Sequence, residues 1–177
     1  MQFTSTSLGL LLILIFFCSA CSQSSAVLER NSVQYFEEQI KAVTTNYITI
    51  KNALVNNNPE IAAREARALR MYLDGVQLDR LDGKALAFWI DKEKRLRELL
   101  AALGTSESLP EQRLKFHEIS TILIDLVEEF GTSGLSLYKQ YCPKALGGEG
   151  ASWINEIKEI QNPYSGGLHC GEVVEKF

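Results

Sequence analysis

The sequence lacks a basic stripe, an internal repeat and a long low-complexity tract. It carries 18 basic and 22 acidic residues, which gives a net charge of −4. Proteins that bind nucleic acid place clustered lysine and arginine against the phosphates, so this balance excludes nucleic acid as a partner. The densest basic cluster, residues 92–97, is interleaved with Asp91, Glu93 and Glu98, which is typical of a solvated helix face.

The start of the chain lacks an apolar run long enough for a mature transmembrane helix. The run at residues 8–17 is too short to span a bilayer and fits the apolar core of a secretory signal. A small Ser-Ala pair precedes Cys21, as a lipoprotein signal peptidase requires. We therefore predict a signal peptide over residues 1–20 and lipidation at Cys21. Residues 1–7 contain no lysine or arginine, although a basic start is usual for a signal peptide. An uncleaved N-terminal anchor is the alternative.

A chain acylated at Cys21 is held at the membrane by its lipid, because each buried methylene contributes about 0.8 kcal/mol. We predict an outer-membrane lipoprotein on the periplasmic face, with a tether over residues 21–30 and one domain over residues 31–177. The membrane is then a partner through the N-terminal lipid. Of the four cysteines, one leaves with the signal and one carries the lipid, so Cys142 and Cys170 remain free to pair.

Apolar residues recur three and four positions apart along four segments, which predicts four amphipathic helices. The first helix should start at a cap at residues 31–32, and the second at Asn58 with Pro59 in its first position. Ser108 and Glu111 form a capping box before the fourth. Short connections between such helices predict an all-α, up-down-up-down four-helix bundle. The apolar seams are Val33, Phe36, Ile40, Val43, Tyr47, Ile50 and Leu54; Ala62, Ala66, Leu69, Leu73 and Val76; Leu86, Trp89, Ile90, Leu96, Leu99, Leu100 and Leu103; and Phe116, Ile119, Leu123, Leu126, Val127 and Phe130.

The pattern changes at the C-terminal end of the chain. Residues 135–177 are rich in glycine, proline and aromatic side chains, and we predict an irregular segment that packs on the bundle. The apolar patch at residues 151–154 is expected to form one helical turn, and residues 162–164 a turn of the chain. Residues 172–177 are expected to form a short strand against residues 135–141, which gives a small β-hairpin.

Two chemical alternatives are open for Cys142 and Cys170, which lie 28 positions apart (170 − 142). An exported compartment favours a disulfide, which stabilises the segment by about 3–4 kcal/mol in the chain-entropy model. Two thiolates beside His169 form instead a soft donor set that suits Cu(I) or Zn. His117 is a candidate fourth ligand. The spacing does not match a standard zinc motif.

A third alternative, with Cys142 as a nucleophile and His117 or His169 as its base, matches no known nucleophile signature. We therefore predict no catalytic residue, no cofactor-binding residue and no enzymatic activity. Two surfaces are candidates for docking a partner protein: the second-helix face of Arg64, Arg67 and Arg70, and the surface of the segment Trp153–Tyr164.

Most of the chain, from about residue 45 to residue 177, carries a family resemblance. The matching pieces are residues 47–54, Ala62, Ala63, Ala66, residues 113–120, Tyr141-Cys142-Pro143, Gly150-Ala151-Ser152-Trp153-Ile154, Ile160-Gln161-Asn162-Pro163-Tyr164 and Cys170-Gly171. In their order and rough spacing they resemble the bacterial domain of unknown function 3347 family. The resemblance implies an exported helical domain, found as a lipoprotein or fused to periplasmic adaptor subunits of heavy-metal efflux systems. Copper handling and efflux components as partners are what it implies for function.

The chain departs from the family pattern at two places. Family members commonly have methionine where this chain has Lys144, and another methionine before the second cysteine, where residues 165–169 have none. Thioethers are the ligands most selective for Cu(I), so their loss favours the disulfide. The leading hypothesis is a non-enzymatic periplasmic module for heavy-metal homeostasis that binds Cu(I) through Cys142 and Cys170, with His169 as an auxiliary ligand. The alternative is a structural or interaction module with a disulfide and no metal.

Overall fold

The structure is a computed structural model that describes residues 16–79, 81, 83–164 and 170–177, with side chains from residue 35 onward. Most of the predicted signal peptide therefore lies outside the described residues, as does the stretch that carries His169. Within the described ranges, no helix combines the length and the hydropathy needed to cross a membrane.

Four helices make up most of the described chain, as the seams predict. α1 packs against α2, α2 against α3 and α3 against α4, and α4 returns to contact α1. These are the contacts that four helices joined by short connections make in a bundle. The bounds are α1 Phe16–Val55, α2 Pro59–Leu73, α3 Gly83–Thr105 and α4 Leu109–Phe130.

The start of α1 differs from the prediction. We expected a cap at Asn31 or Ser32, but α1 already includes Phe16, the first residue that the structure describes, and it is helical through residues 21–30. The reason is local, because residues 16–55 contain neither glycine nor proline to interrupt the helical hydrogen bonds.

The predicted caps of α2 and α4 have different outcomes. The Asn58 side chain accepts a hydrogen bond from the backbone N–H of Ile61 at 3.0 Å, as predicted. The predicted capping box of α4 is wrong, since Ser108 makes no side-chain cap bond. Instead, the hydroxyl of Ser106, two positions before Ser108, donates to the Glu111 carboxylate at 2.8 Å.

Aromatic side chains tie the helices together in the core. The ring of Phe36 on α1 meets Trp89 on α3 edge-on at 5.2 Å between centroids and Phe130 on α4 at 4.8 Å. Tyr47 stacks on Phe116 at 4.9 Å. Trp89 and Tyr47 are buried, so their predicted place in the core is confirmed.

The C-terminal segment forms a three-stranded antiparallel sheet in the order β2-β1-β3, which makes the fold mainly helical rather than all-α. The pairing of β3 with β1 confirms the predicted strand. The predicted helical turn at residues 151–154 is wrong, because this short apolar run pairs with β1 and packs against α4. Periodicity does not separate a buried strand from a buried helical turn in so short a run. The strands are β1 Tyr138–Cys142, β2 Ala151–Asn155 and β3 Glu172–Lys176.

Candidate functional site

Cys142 and Cys170 form a disulfide. Their Cα atoms are 5.5 Å apart, and their sulfurs are bonded at 2.04 Å. Cys142 ends β1 and Cys170 lies just before β3, so the antiparallel pairing of these strands brings the two cysteines together. Cys142 is buried and Cys170 is half-buried. Of the two alternatives left open by the sequence, the structure has the disulfide.

The sulfurs do not fit a metal ion in this oxidised form, because the ligand of a soft metal is the thiolate. Within the part of the chain that the structure describes, no group of three or more His, Cys, Asp or Glu side chains could hold a metal ion. His117 packs edge-on against Tyr164 at 6.2 Å between ring centroids, and its buried Nδ1 has no hydrogen-bond partner. His169 lies outside the described residues.

A buried node of hydroxyl groups docks the sheet onto the helices. The hydroxyl of Tyr47 on α1 and the Oγ of Ser120 on α4 share a hydrogen bond of 2.8 Å. The Tyr164 hydroxyl lies 3.1 Å from the same Oγ and donates to the Ser152 carbonyl at 2.9 Å. The backbone N–H of Ile154 donates to Tyr47. Burial raises the pKa of both tyrosines, which keeps them neutral and fixes them as structural donors.

Lys51 lies on α1 with a side chain that is 0% exposed. Its Nζ donates to Glu156 Oε2 at 2.8 Å, to Gln161 Oε1 at 3.0 Å and to the Asn155 Oδ1. Burial lowers the pKa of Lys51, against the opposing effect of Glu156. A buried lysine with a shifted pKa is a common mark of a functional site. Here all three ammonium hydrogens have acceptors, so its observed role is to hold residues 155–161 on α1.

Lys51 was not among the residues predicted from the sequence, although the sequence carries a signal for it. It stands four positions after Tyr47 and three before Leu54, and both of these belong to the apolar seam of α1. That spacing places Lys51 on the buried face of the helix. A lysine on such a face must find hydrogen-bonding partners elsewhere in the fold.

An open groove of about 470 Å³ lies where α4 meets the segment that follows the helices, residues 135–177, which we call the tail. We call it the Arg113 groove. The Arg113 side chain pins the tail beside it, since its Nε donates to the Pro163 carbonyl at 2.8 Å and its Nη2 to Asn57 Oδ1 at 2.7 Å and the Leu54 carbonyl at 3.3 Å. The groove is lined by Pro110, Arg113, Leu114, Lys144, Ala145, Leu146, Gly147, Glu149 and Tyr164.

On both docking surfaces predicted from the sequence, some of the side chains are buried or bonded within the chain. Trp153 is 0% exposed and Tyr164 only 6%, so these two side chains are buried, whereas residues 157–159 between them are exposed. On α2, Arg64 pairs with its neighbour Glu65, and Arg67 donates to the Gly104 carbonyl. The arginines of α2 are thus partly engaged in bonds within the chain.

Comparison with known proteins gives one match. The family model described as "Protein of unknown function (DUF3347)" matches residues 43–134. This span runs from the middle of α1 through α4 and stops before the tail. No curated protein and no solved structure matches the chain.

The first prediction concerns the disulfide. Replacing both cysteines (Cys142→Ala with Cys170→Ala) should lower the free energy of unfolding by about 3–4 kcal/mol, because the unfolded chain regains the freedom of the closed loop. Urea unfolding of the purified protein measures this. Reductant should destabilise the wild type by a similar amount and leave the double variant unchanged. Equal stability of variant and oxidised wild type would contradict the prediction.

The second prediction concerns Glu156. Burial would raise the pKa of this carboxyl, but the bonds from Lys51 and Asn52 outweigh it and lower the pKa below 4.5. The stabilisation is therefore present above pH 4.5 and is lost as the pH falls through the folded pKa. In urea unfolding between about pH 6 and pH 3, the free energy of unfolding should fall less with decreasing pH for Glu156→Gln than for wild type. Glu159→Gln, an exposed change on the same loop, is the control and should follow the wild-type curve.

Proposed function

The chain belongs to the family described as a protein of unknown function (DUF3347), and on that footing we propose that it is a non-enzymatic interaction module. The observation that carries the proposal is the Cys142–Cys170 disulfide, which closes the tail covalently beside an open groove. A surface whose walls are held in place loses little conformational freedom when a partner binds. Such a module presents a preformed docking site.

The reactive side chains between the helices and the sheet support a binding role over catalysis. Cys142 is tied up in the disulfide, the Lys51 ammonium bonds three acceptors, and the Tyr47 and Tyr164 hydroxyls bond to Ser120. A catalytic nucleophile needs a neighbouring base and access to substrate. These groups are buried and engaged in bonds that hold the fold together.

We further propose that the protein is exported and anchored by lipid, as an outer-membrane lipoprotein on the periplasmic face. The signal-like residues 1–20 and the small residues before Cys21 support this assignment. The disulfide supports it independently, because disulfides persist in oxidising compartments outside the cytoplasm. The membrane is then a partner through the acyl chains on Cys21.

A second candidate function is binding of Cu(I) or a related heavy metal by a reduced form, in association with metal-efflux components. One observation favours it: the Cα atoms of the two cysteines are 5.5 Å apart in the fold, so reduction of the disulfide would free two neighbouring thiols. His169 precedes Cys170 directly in the sequence. Thiolate and imidazole are donors that suit Cu(I) and Zn.

The third prediction separates the two candidates by a thiol count. Protein isolated from membranes and alkylated without reductant should show Cys142 and Cys170 unmodified, and both should be modified after reduction. The interaction module is supported when the reduced protein takes no more Cu(I) from a competing chelator than its Cys142→Ser variant does. Uptake of one Cu(I) per reduced chain, lost in Cys142→Ser, would support metal binding instead.

The fourth prediction tests export. Cys21→Ser should accumulate as an unprocessed precursor without acyl chains, because the lipid and the cleavage both need that sulfur. Mass spectrometry of the membrane fraction detects the missing acyl groups. Cys18→Ser is the matched control, since Cys18 lies within the predicted signal, and it should be processed normally. Acylation retained in Cys21→Ser would refute the assignment.

A further inference from the structure

Arg113 is a half-buried cation that has no acidic partner among the described residues. Its three hydrogen-bond acceptors are two backbone carbonyls and the side-chain amide of Asn57, and all three are neutral. Other arginines of the helices differ, since Arg97 pairs with Glu93 and Asp74, and Arg95 with Glu98 and Glu118. Among the residues that the structure describes, the positive charge of Arg113 is therefore not neutralised by an ion pair.

A partly desolvated charge without a counter-charge is costly unless an ion of opposite sign reaches it. Burial is the cause that lowers the pKa of Arg113, as expected for a cation with no acid nearby. The Nη1 atom makes no hydrogen bond with the described residues, which leaves two N–H donors on the guanidinium. A carboxylate suits such donors because arginine binds it with matching geometry.

The rest of the groove adds a second cation and an apolar surface. Lys144 lines it, is exposed, and forms no ion pair with the residues that the structure describes. Leu114 is 51% exposed, which is a large fraction for an apolar side chain. Leu146 is half-buried and has a backbone φ of 51°, a left-handed conformation that costs a non-glycine residue free energy.

Among the described residues that line the groove, Glu149 is the one acidic residue. It is exposed and, like Lys144, has no ion-pair partner in the described part of the chain. It gives the groove an orientation, because an anionic group is attracted toward Arg113 and Lys144 and repelled by Glu149.

We propose that the Arg113 groove binds an acidic segment of a partner protein, with a carboxylate at Arg113 and Lys144 and an apolar side chain against Leu114 and Leu146. This rests on the proposed interaction function and names the chemistry of its partner. A peptide fits better than a small carboxylate, because small-molecule sites enclose most of the ligand surface and this groove is open along exposed residues. Charge complementarity selects the acidic class of peptide.

The fifth prediction uses selection of a random dodecapeptide library on the full chain in detergent. The enriched peptides should carry Asp or Glu within a few residues of Leu, Ile or Phe. One enriched peptide is then synthesised with a fluorophore, and its affinity is measured by anisotropy. Lys144→Glu and Leu114→Ser should each weaken binding about ten-fold, since both act within the contact. Glu149→Gln should tighten it about two-fold by removing the repulsion.

Matched variants outside the groove control for charge and exposure. Lys84→Glu makes the same charge reversal on α3, and Ile90→Ser alters an apolar residue that is 52% exposed, against 51% for Leu114. Both should leave the affinity within about two-fold of wild type. Raising the salt from about 0.05 to 0.5 M should weaken binding, because it screens the charges.

Different failures identify different errors. If the enriched peptides bind the Lys144→Glu and Leu114→Ser variants with the same affinity as the control variants, the groove is not the binding site, although the interaction function would stand. Enrichment of basic or neutral peptides would overturn the acidic partner. Absence of any enriched peptide would count against the interaction function itself. Full competition by phosphatidylglycerol vesicles would overturn the peptide in favour of a lipid headgroup.

Discussion

The placement of the tail depends on the burial of Lys51 with every ammonium hydrogen bonded. A desolvated lysine is costly unless acceptors surround it, and here they come from Asn155, Glu156 and Gln161 in the tail. The loop at residues 157–159 exposes its side chains, so apolar burial alone does not specify where it lies. The polar bonds do, because the three acceptors of the buried Lys51 ammonium all lie within residues 155–161.

The groove follows from that placement. The bonds from Lys51 of α1 to residues 155–161 and the hydroxyl node on α4 position β2. The disulfide joins Cys170, just before β3, to Cys142 at the end of β1. The segment that carries Lys144 and Leu146 is closed between these attachments. One wall of the Arg113 groove is thus helix and the other is a covalently closed tail, which is why an irregular segment can present a defined surface.

Elements that bury one periodic face were predictable, whereas of the strands that depend on distant partners β3 was predicted and β2 was not. The seam from Phe36 to Leu54 predicts α1 because each contact repeats every three or four residues. Asn58 and Pro59 predict the start of α2, since a cap acts within one turn. β2 was missed because its apolar run is as short as a helical turn. The cap of α4 was misplaced because Ser106 competes with Ser108 for Glu111.

The sequence by itself determined the helices, the strand at the end of the chain, the family and the short list of what Cys142 and Cys170 can be. Only the tertiary structure decided that the two sulfurs are joined, that Trp153 faces inward and that Arg113 has no ion-pair partner among the described residues. The reason is the distance along the chain between partners. Lys51 meets Asn155 across 104 positions, and no local pattern of residue types carries that pairing.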